Sequence, residues 1–128
     1  MGMRRYKDWF RQARRRIESA KWSLKGEFYE DTCFSSQQAA ELAVKALLEK
    51  KGISRRGHSI YFMLSTIKAP EEVLSLARKL DQYYIPTRYP DGFDVGAPMD
   101  YYDRTQAEEA IKYAERIIKF AEEEIGQI

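Results

Sequence analysis

An all-α fold is predicted for this chain of 128 residues, and three observations predict it. Four long stretches repeat apolar residues at helical spacing, and none alternates at the period of two that a half-buried strand requires. Glycines stand where two of those stretches stop, at Gly26 and Gly52. Ser59 and Pro70 stand ahead of two further apolar groups, the first as a cap and the second as an early helical position. The expected architecture is an antiparallel helical bundle of four long helices plus one short helix, with a long ordered loop before the last helix. One domain over residues 1–128 accommodates it.

The first helix is expected from about Arg4 to Lys25, with Tyr6, Trp9, Phe10, Ala13, Ile17, Ala20 and Leu24 on one face. The second runs from about Tyr29 to Lys51 and turns Phe34, Gln38, Leu42 or Ala43, Ala46 and Leu47 inward, with Gly52 as its stop. His58-Ser59 caps a short helix carrying Ile60, Met63, Leu64 and Ile67. Pro70-Glu71-Glu72 opens the next, where the carboxylates suit the positive end of the dipole. Its inner face is Val73, Leu76, Ala77, Leu80 and Tyr84. Asp103 and Gln106 form a capping-box-like start for the last helix, whose Ala107, Ala110, Ile111, Ala114, Ile117, Ile118, Ala121 and Ile125 recur at helical spacing.

Composition narrows the class further. Hydrophobic residues make up 44% and charged residues 33%, a balance that excludes disorder. The net charge of +2 offers no argument for nucleic acid. One cysteine, Cys33, rules out a disulfide framework and reads as a small core residue; with no secretory apolar stretch at the start, a cytoplasmic location is expected. No apolar run reaches the ~20 residues that span a bilayer, so no membrane partner is expected. One His and one Cys make no ligand set, and no metal or cofactor is expected.

Between the fourth and last helices, Ile85 to Tyr102 form a loop of about 18 residues, long for a bundle. It holds Pro86-Thr87-Arg88-Tyr89-Pro90. Proline fixes its own φ and pushes the residue before it out of the helical region, so Ile85 and Tyr89 should be extended. Rigid backbone of this kind presents Arg88 and its flanking aromatics at fixed angles. Arg88 has two readings: a phosphate clamp with Tyr84 or Tyr89 stacking on a base, or an ion pair with Asp81 or Asp91 that ties the loop down. Five of the nine tyrosines lie between Tyr83 and Tyr102, which suits a ligand surface and a homodimer surface equally.

The termini carry opposite charge runs. Arg4, Arg5, Lys7, Arg11, Arg14, Arg15 and Arg16 crowd the first helix, and Glu122, Glu123 and Glu124 end the last. Each run opposes its own helix dipole. Adjacent antiparallel packing would let the two ends compensate, a reading preferred over an RNA-binding patch.

Several of these residues together resemble the HEPN domain family. They are Ser36-Gln37-Gln38-Ala39-Ala40-Glu41-Leu42-Ala43-Val44-Lys45-Ala46-Leu47-Leu48, His58-Ser59-Ile60, Leu80 to Pro90, and the Ala/Ile pattern after Tyr101-Tyr102. The resemblance covers nearly the whole chain in the right order. It implies a helical domain, often dimeric, that works with a minimal nucleotidyltransferase in a toxin–antitoxin-like pair and binds a nucleotide or a partner. It also implies, for many members, a ribonuclease built on Arg, four to six residues, then His. That signature is absent here: four, five and six intervening residues before the single His58 lead to Ile53, Gly52 and Lys51, and lysine is a poor substitute for a planar guanidinium. A non-catalytic binding module is therefore expected. An atypical metal-independent ribonuclease using His58 with Arg88 or Lys51, or a dimerisation and assembly module without a small ligand, stand as alternatives. Candidate ligand-binding residues are Arg88, Tyr84, Tyr89, His58, Lys45 and Asp81; for Lys45 an exposed helical lysine is the plainer reading, and for His58 a capping or gap-filling role.

Overall fold

The computed structural model describes residues 5–54 and 56–126. Arg4 and Arg55 lie outside the described residues. Five α-helices are present among the described residues, α1 (Tyr6–Lys25), α2 (Tyr29–Lys51), α3 (Ile60–Ser65), α4 (Glu71–Asp81) and α5 (Arg104–Gly126), and no strand. None of these helices is long and apolar enough to cross a membrane.

α1 and α2 form an antiparallel hairpin closed by Gly26, Glu27 and Phe28. Gly26 keeps a helical φ, and it is Glu27 that takes the left-handed conformation, at φ 66°. Gly26 matters for another reason: a Cβ there would stand 2.8 Å from the Phe28 ring. Gly52 does adopt the left-handed cap expected of it, with φ 72°, its own N–H on the Glu49 carbonyl and the Ile53 N–H on the Leu48 carbonyl.

α2 is the central element. It is packed between α1 and α5, and residues on every side of it are buried, including Ala39, Ala40, Ala43, Val44, Ala46, Leu47 and Leu48. The inward face expected of it is therefore too narrow: Phe34, Gln38 and Leu42 are half-buried, while Gln37 and Glu41 are buried. Alanines recur at the contacts from both sides, with Ala107, Ala110, Ala114 and Ala121 of α5 also buried. Small side chains let the helix axes approach closely, and Leu47, Ile60, Leu64, Leu80 and Ile117 fill the remaining volume.

Of the opposed charge runs of α1 and α5, Arg14 and Glu122 meet, while Arg5 and Arg11 turn to Asp8 on their own helix. Arg14 pairs with Glu122, and Lys21 with Glu115 at 3.0 Å, two turns further along one helix and two turns back along the other. That register makes the two helices antiparallel. Arg116 grips Glu72 through two hydrogen bonds, at 2.8 and 3.0 Å, and so fastens α5 to α4. The capping box of α5 is closed in both directions: the Asp103 N–H donates to Gln106 Oε1 at 3.2 Å, and the Gln106 N–H to Asp103 Oδ1 at 2.9 Å.

α3 and α4 stop earlier than the apolar pattern suggests. Ile67 lies in the turn after α3, and Tyr84 lies in the turn after α4 rather than on its inner face. The loop before α5 includes two short 3₁₀ turns, Pro90–Gly92 and Pro98–Asp100, with Tyr89 extended between prolines as expected, at φ −130° and ψ 134°. Aromatic contacts hold the loop: Phe93 stacks on Tyr101 at 4.0 Å and meets Tyr102 edge-on, while Tyr83 meets Tyr102 edge-on at 5.9 Å. The tyrosine cluster thus divides. Tyr83, Tyr101 and Tyr102 pack the loop, whereas Tyr84 and Tyr89 turn towards Arg88 and His58.

Candidate functional site

The site starts on α2. Gln37, Glu41 and Lys45 are spaced by four residues, so they share one stripe of the helix. The Lys45 ammonium lies 2.9 Å from Glu41 Oε2, and Gln37 Nε2 donates to Glu41 Oε1 at 3.1 Å. His58, in the segment after α2, brings Nδ1 to 3.1 Å from the same Oε2. Glu41 and Lys45 side chains are only 6% and 12% exposed, so this carboxylate is screened from water and kept company by an ammonium and two further donors. The plain reading of Lys45 as an exposed lysine is corrected here: its side chain is mostly covered, and Glu41 holds its ammonium.

Glu41 also fixes the chemistry of His58. A carboxylate can only accept, so Nδ1 carries the proton and the neutral ring keeps its lone pair on Nε2. The imidazole is 54% exposed, which leaves Nε2 free to meet a ligand. The ring is held flat against Tyr84, with centroids 4.5 Å apart and planes 17° apart.

Tyr84 joins His58 to the proline-bracketed segment. The Arg88 guanidinium lies 4.6 Å from the Tyr84 ring, 4.6 Å from Phe34 and 5.1 Å from Tyr89, and its Nε donates to the Tyr84 carbonyl at 2.9 Å. Of its two expected ion pairs, neither forms. Asp81 is occupied elsewhere, and Arg88 has no carboxylate within ion-pair distance among the described residues. Aromatic faces orient the guanidinium without neutralising it. On one side Arg88 borders a hollow of about 370 Å³ that also holds Glu30 and Asp31, a poor place for an anion. The Tyr84 and His58 side is the more favourable one.

Asp81 has a structural occupation. Its carboxylate accepts from Ser59 Oγ at 2.8 Å, the Ile60 N–H at 2.8 Å and the Tyr61 N–H at 3.1 Å, so the end of α4 caps the start of α3. Burial pushes its carboxyl above the ordinary range, and the three hydrogen bonds pull the other way. Asp81 nonetheless lines a cleft of about 440 Å³ together with His58, Ser59, Tyr61, Phe62, Arg78, Tyr84 and Ile85. No cluster of three or more His, Cys, Asp or Glu side chains that could hold a metal ion occurs among the described residues.

The six sequence-derived candidates separate accordingly. His58, Tyr84, Arg88 and Tyr89 form one continuous aromatic and cationic surface. Lys45 reaches it only through Glu41, and Asp81 supports the cleft floor. Glu41 and Gln37 were missed. Their signal was the four-residue spacing Gln37/Glu41/Lys45, which Gln38, half-buried and donating to Gln37 Oε1 at 2.7 Å, obscured.

A helical bundle with this polar centre on its second helix and a His–Arg–Tyr surface at its edge defines a class. The chain belongs to the HEPN domain family, whose model matches residues 6–125. Among its relatives is "Putative toxin MJ1304" of Methanocaldococcus jannaschii, 33% identical over 122 residues that span 85% of this chain and 80% of that protein. Two crystal structures are similar throughout. TT1696 from Thermus thermophilus is 42% identical with a TM-score of 0.90, covering 94% of this chain and 98% of its own. ST0689, an archaeal HEPN homologue, is 44% identical with a TM-score of 0.85, covering 94% and 97%.

Proposed function

We propose that this chain is the HEPN component of a toxin–antitoxin-like pair and that His58, Tyr84, Arg88 and Tyr89 bind a nucleotide through its phosphate and base. The observation that carries the reading is the shared tyrosine. One ring, Tyr84, positions both an imidazole and a guanidinium that has no carboxylate partner among the described residues. The Arg88 guanidinium donates to a phosphate, and the flanking rings offer π faces to a base. The relative named as a toxin, together with the family membership, supports the toxin-like role. A minimal nucleotidyltransferase as partner chain and a homodimeric state belong to the same proposal.

The test is calorimetric titration of wild type and Arg88→Ala with nucleoside phosphates. Affinity should fall about 10- to 150-fold in the variant, the span of a charge-assisted hydrogen bond. Equal affinity in the two proteins, or no binding by wild type, overturns the binding reading. Co-expression with a minimal nucleotidyltransferase should recover a stable complex.

A second reading has its own observation. The Nδ1 hydrogen bond to a buried carboxylate leaves Nε2 of His58 ready to move a proton, with Arg88 across the same ring as the phosphate clamp. On that reading the protein cleaves RNA without a metal. Undiminished cleavage by His58→Ala disposes of it.

A further inference from the structure

The cleft beside His58 contains a feature that phosphate binding does not use. Phe62, on α3, is 70% exposed and forms one wall of it. An exposed phenylalanine is ordinarily free to move, but this one is held. Tyr61 meets it edge-on at 5.3 Å, the Arg78 guanidinium lies 4.4 Å from the Tyr61 ring, and Glu71 holds Arg78 at 2.8 Å. The Phe62 N–H is bound to Ser59 Oγ at 3.1 Å, which in turn donates to Asp81. A chain of contacts from α4 thus fixes an apolar ring at the mouth of a cleft of about 440 Å³, within the roughly 300–1,000 Å³ common for small-ligand pockets.

The lining says what kind of group fits. Tyr61, Phe62, Tyr84 and Ile85 present rings and aliphatic surface. Of the polar groups in the lining, Ser59 and Asp81 already have their partners, while Arg78 and the Nε2 edge of His58 stand at its rim. Such a cleft rewards a flat aromatic group. Tyr84 and His58 belong both to this cleft and to the cationic surface beside Arg88, so a ligand anchored there by phosphate has its remaining part directed along the cleft.

We propose that the cleft is a base subsite, in which the nucleobase of a bound nucleotide stacks on Phe62. The proposal rests on the nucleotide reading above and names what it leaves open. Because stacking on Phe62 depends on ring area, the subsite binds adenine and guanine more strongly than the smaller pyrimidines.

The test titrates wild type, Phe62→Ala, Phe62→Trp and Arg88→Ala with AMP, GMP, UMP, a tetra-adenylate and ribose 5-phosphate. Phe62 is exposed, so Phe62→Ala should fold, and an unchanged thermal midpoint verifies it. The expected result is a loss of AMP, GMP and tetra-adenylate affinity in Phe62→Ala of about 5- to 150-fold, the range of base–aromatic stacking. Phe62→Trp should restore it, and ribose 5-phosphate should bind equally to both Phe62 proteins. A loss confined to tetra-adenylate assigns the subsite to RNA; a loss with AMP alone assigns it to a mononucleotide. Unchanged AMP and tetra-adenylate affinity in Phe62→Ala, alongside a loss in Arg88→Ala, overturns the base subsite and leaves the phosphate reading intact. The same unchanged affinity with a shift from dimer to monomer in light scattering would make Phe62 an interface residue instead. No binding to any of these probes overturns both readings together.

Discussion

Glu41 Oε2 stands 3.1 Å from His58 Nδ1 and 2.9 Å from the Lys45 ammonium, so one buried oxygen serves two donors from different parts of the chain. Removing that carboxylate strands Lys45 in a nearly dry position and releases the imidazole. Glu41→Ala should destabilise the fold by about 3–5 kcal/mol, as breaking a buried pair does, whereas Glu41→Gln, which keeps an acceptor, should cost less. Urea unfolding measures both. Nitrogen NMR of His58 in Glu41→Ala should show the neutral ring mixing its two tautomers. An unmixed tautomer would mean that Glu41 does not fix it.

The Asp81 cap supplies three acceptor contacts to the start of α3. Asp81→Ala should cost about 0.5–2 kcal/mol, the usual span for a lost cap. The pH dependence has a definite sign. Burial holds the folded carboxyl above its unfolded value of about 3.9, so the folded state keeps this proton longer. Its contribution is therefore greatest below that unfolded value and declines as pH rises through the raised folded one. Stability of wild type relative to Asp81→Asn should fall as pH rises through that mildly acidic window. A flat difference between the two proteins would refute this.

Cys33 is fully buried on α2, and burial pushes its thiol up to about 12. Thiolate is the reactive form, so an aromatic disulfide reagent at pH 8 should modify the folded protein only as fast as it opens, and the denatured chain at once. The group contributes stability in full below its unfolded pKa of about 8.5 and loses it as pH rises towards the folded value. Rapid modification under native conditions would place Cys33 at the surface.

Arg14 with Glu122 and Lys21 with Glu115 set the register of α1 against α5. These pairs are about half exposed, so each is worth only ~0.2–1 kcal/mol. Arg14→Glu and Glu122→Arg should each cost about that much, and the double exchange should recover most of the loss. High salt should shrink all three effects. A double variant no better than the sum of its parts would show that the pair does not form in solution.

The helices were largely legible because their signals are local. Gly52, Ser59 and the Asp103/Gln106 box act within a turn of where they stand and the structure uses each as read, while Pro70 sits one residue outside α4, as its N-cap. The site was legible in part. Arg88, Tyr84, Tyr89 and His58 announced themselves by proline bracketing, by aromatic spacing and by being the only histidine. Glu41 did not. Most of α2 is buried and its half-buried stripe carries Phe34 and Leu42, so no polar face stands opposite an inward carboxylate, and the four-residue spacing of Glu41 from Lys45 reads equally well as a solvent-exposed pair.

By itself, then, the sequence determined an all-α bundle, its helix boundaries to within a turn or so, and one charge pair between its first and last helices. The tertiary structure decided which polar groups meet. Helix formation depends on neighbours a few residues apart, but the partners of Arg88, Asp81 and His58 depend on how four chain segments cross. Arg88 found three aromatic rings where an ion pair was one expectation, Asp81 found the start of α3, and His58 found Glu41. Those crossings follow from close packing of alanine-rich helices around α2, which no local pattern encodes.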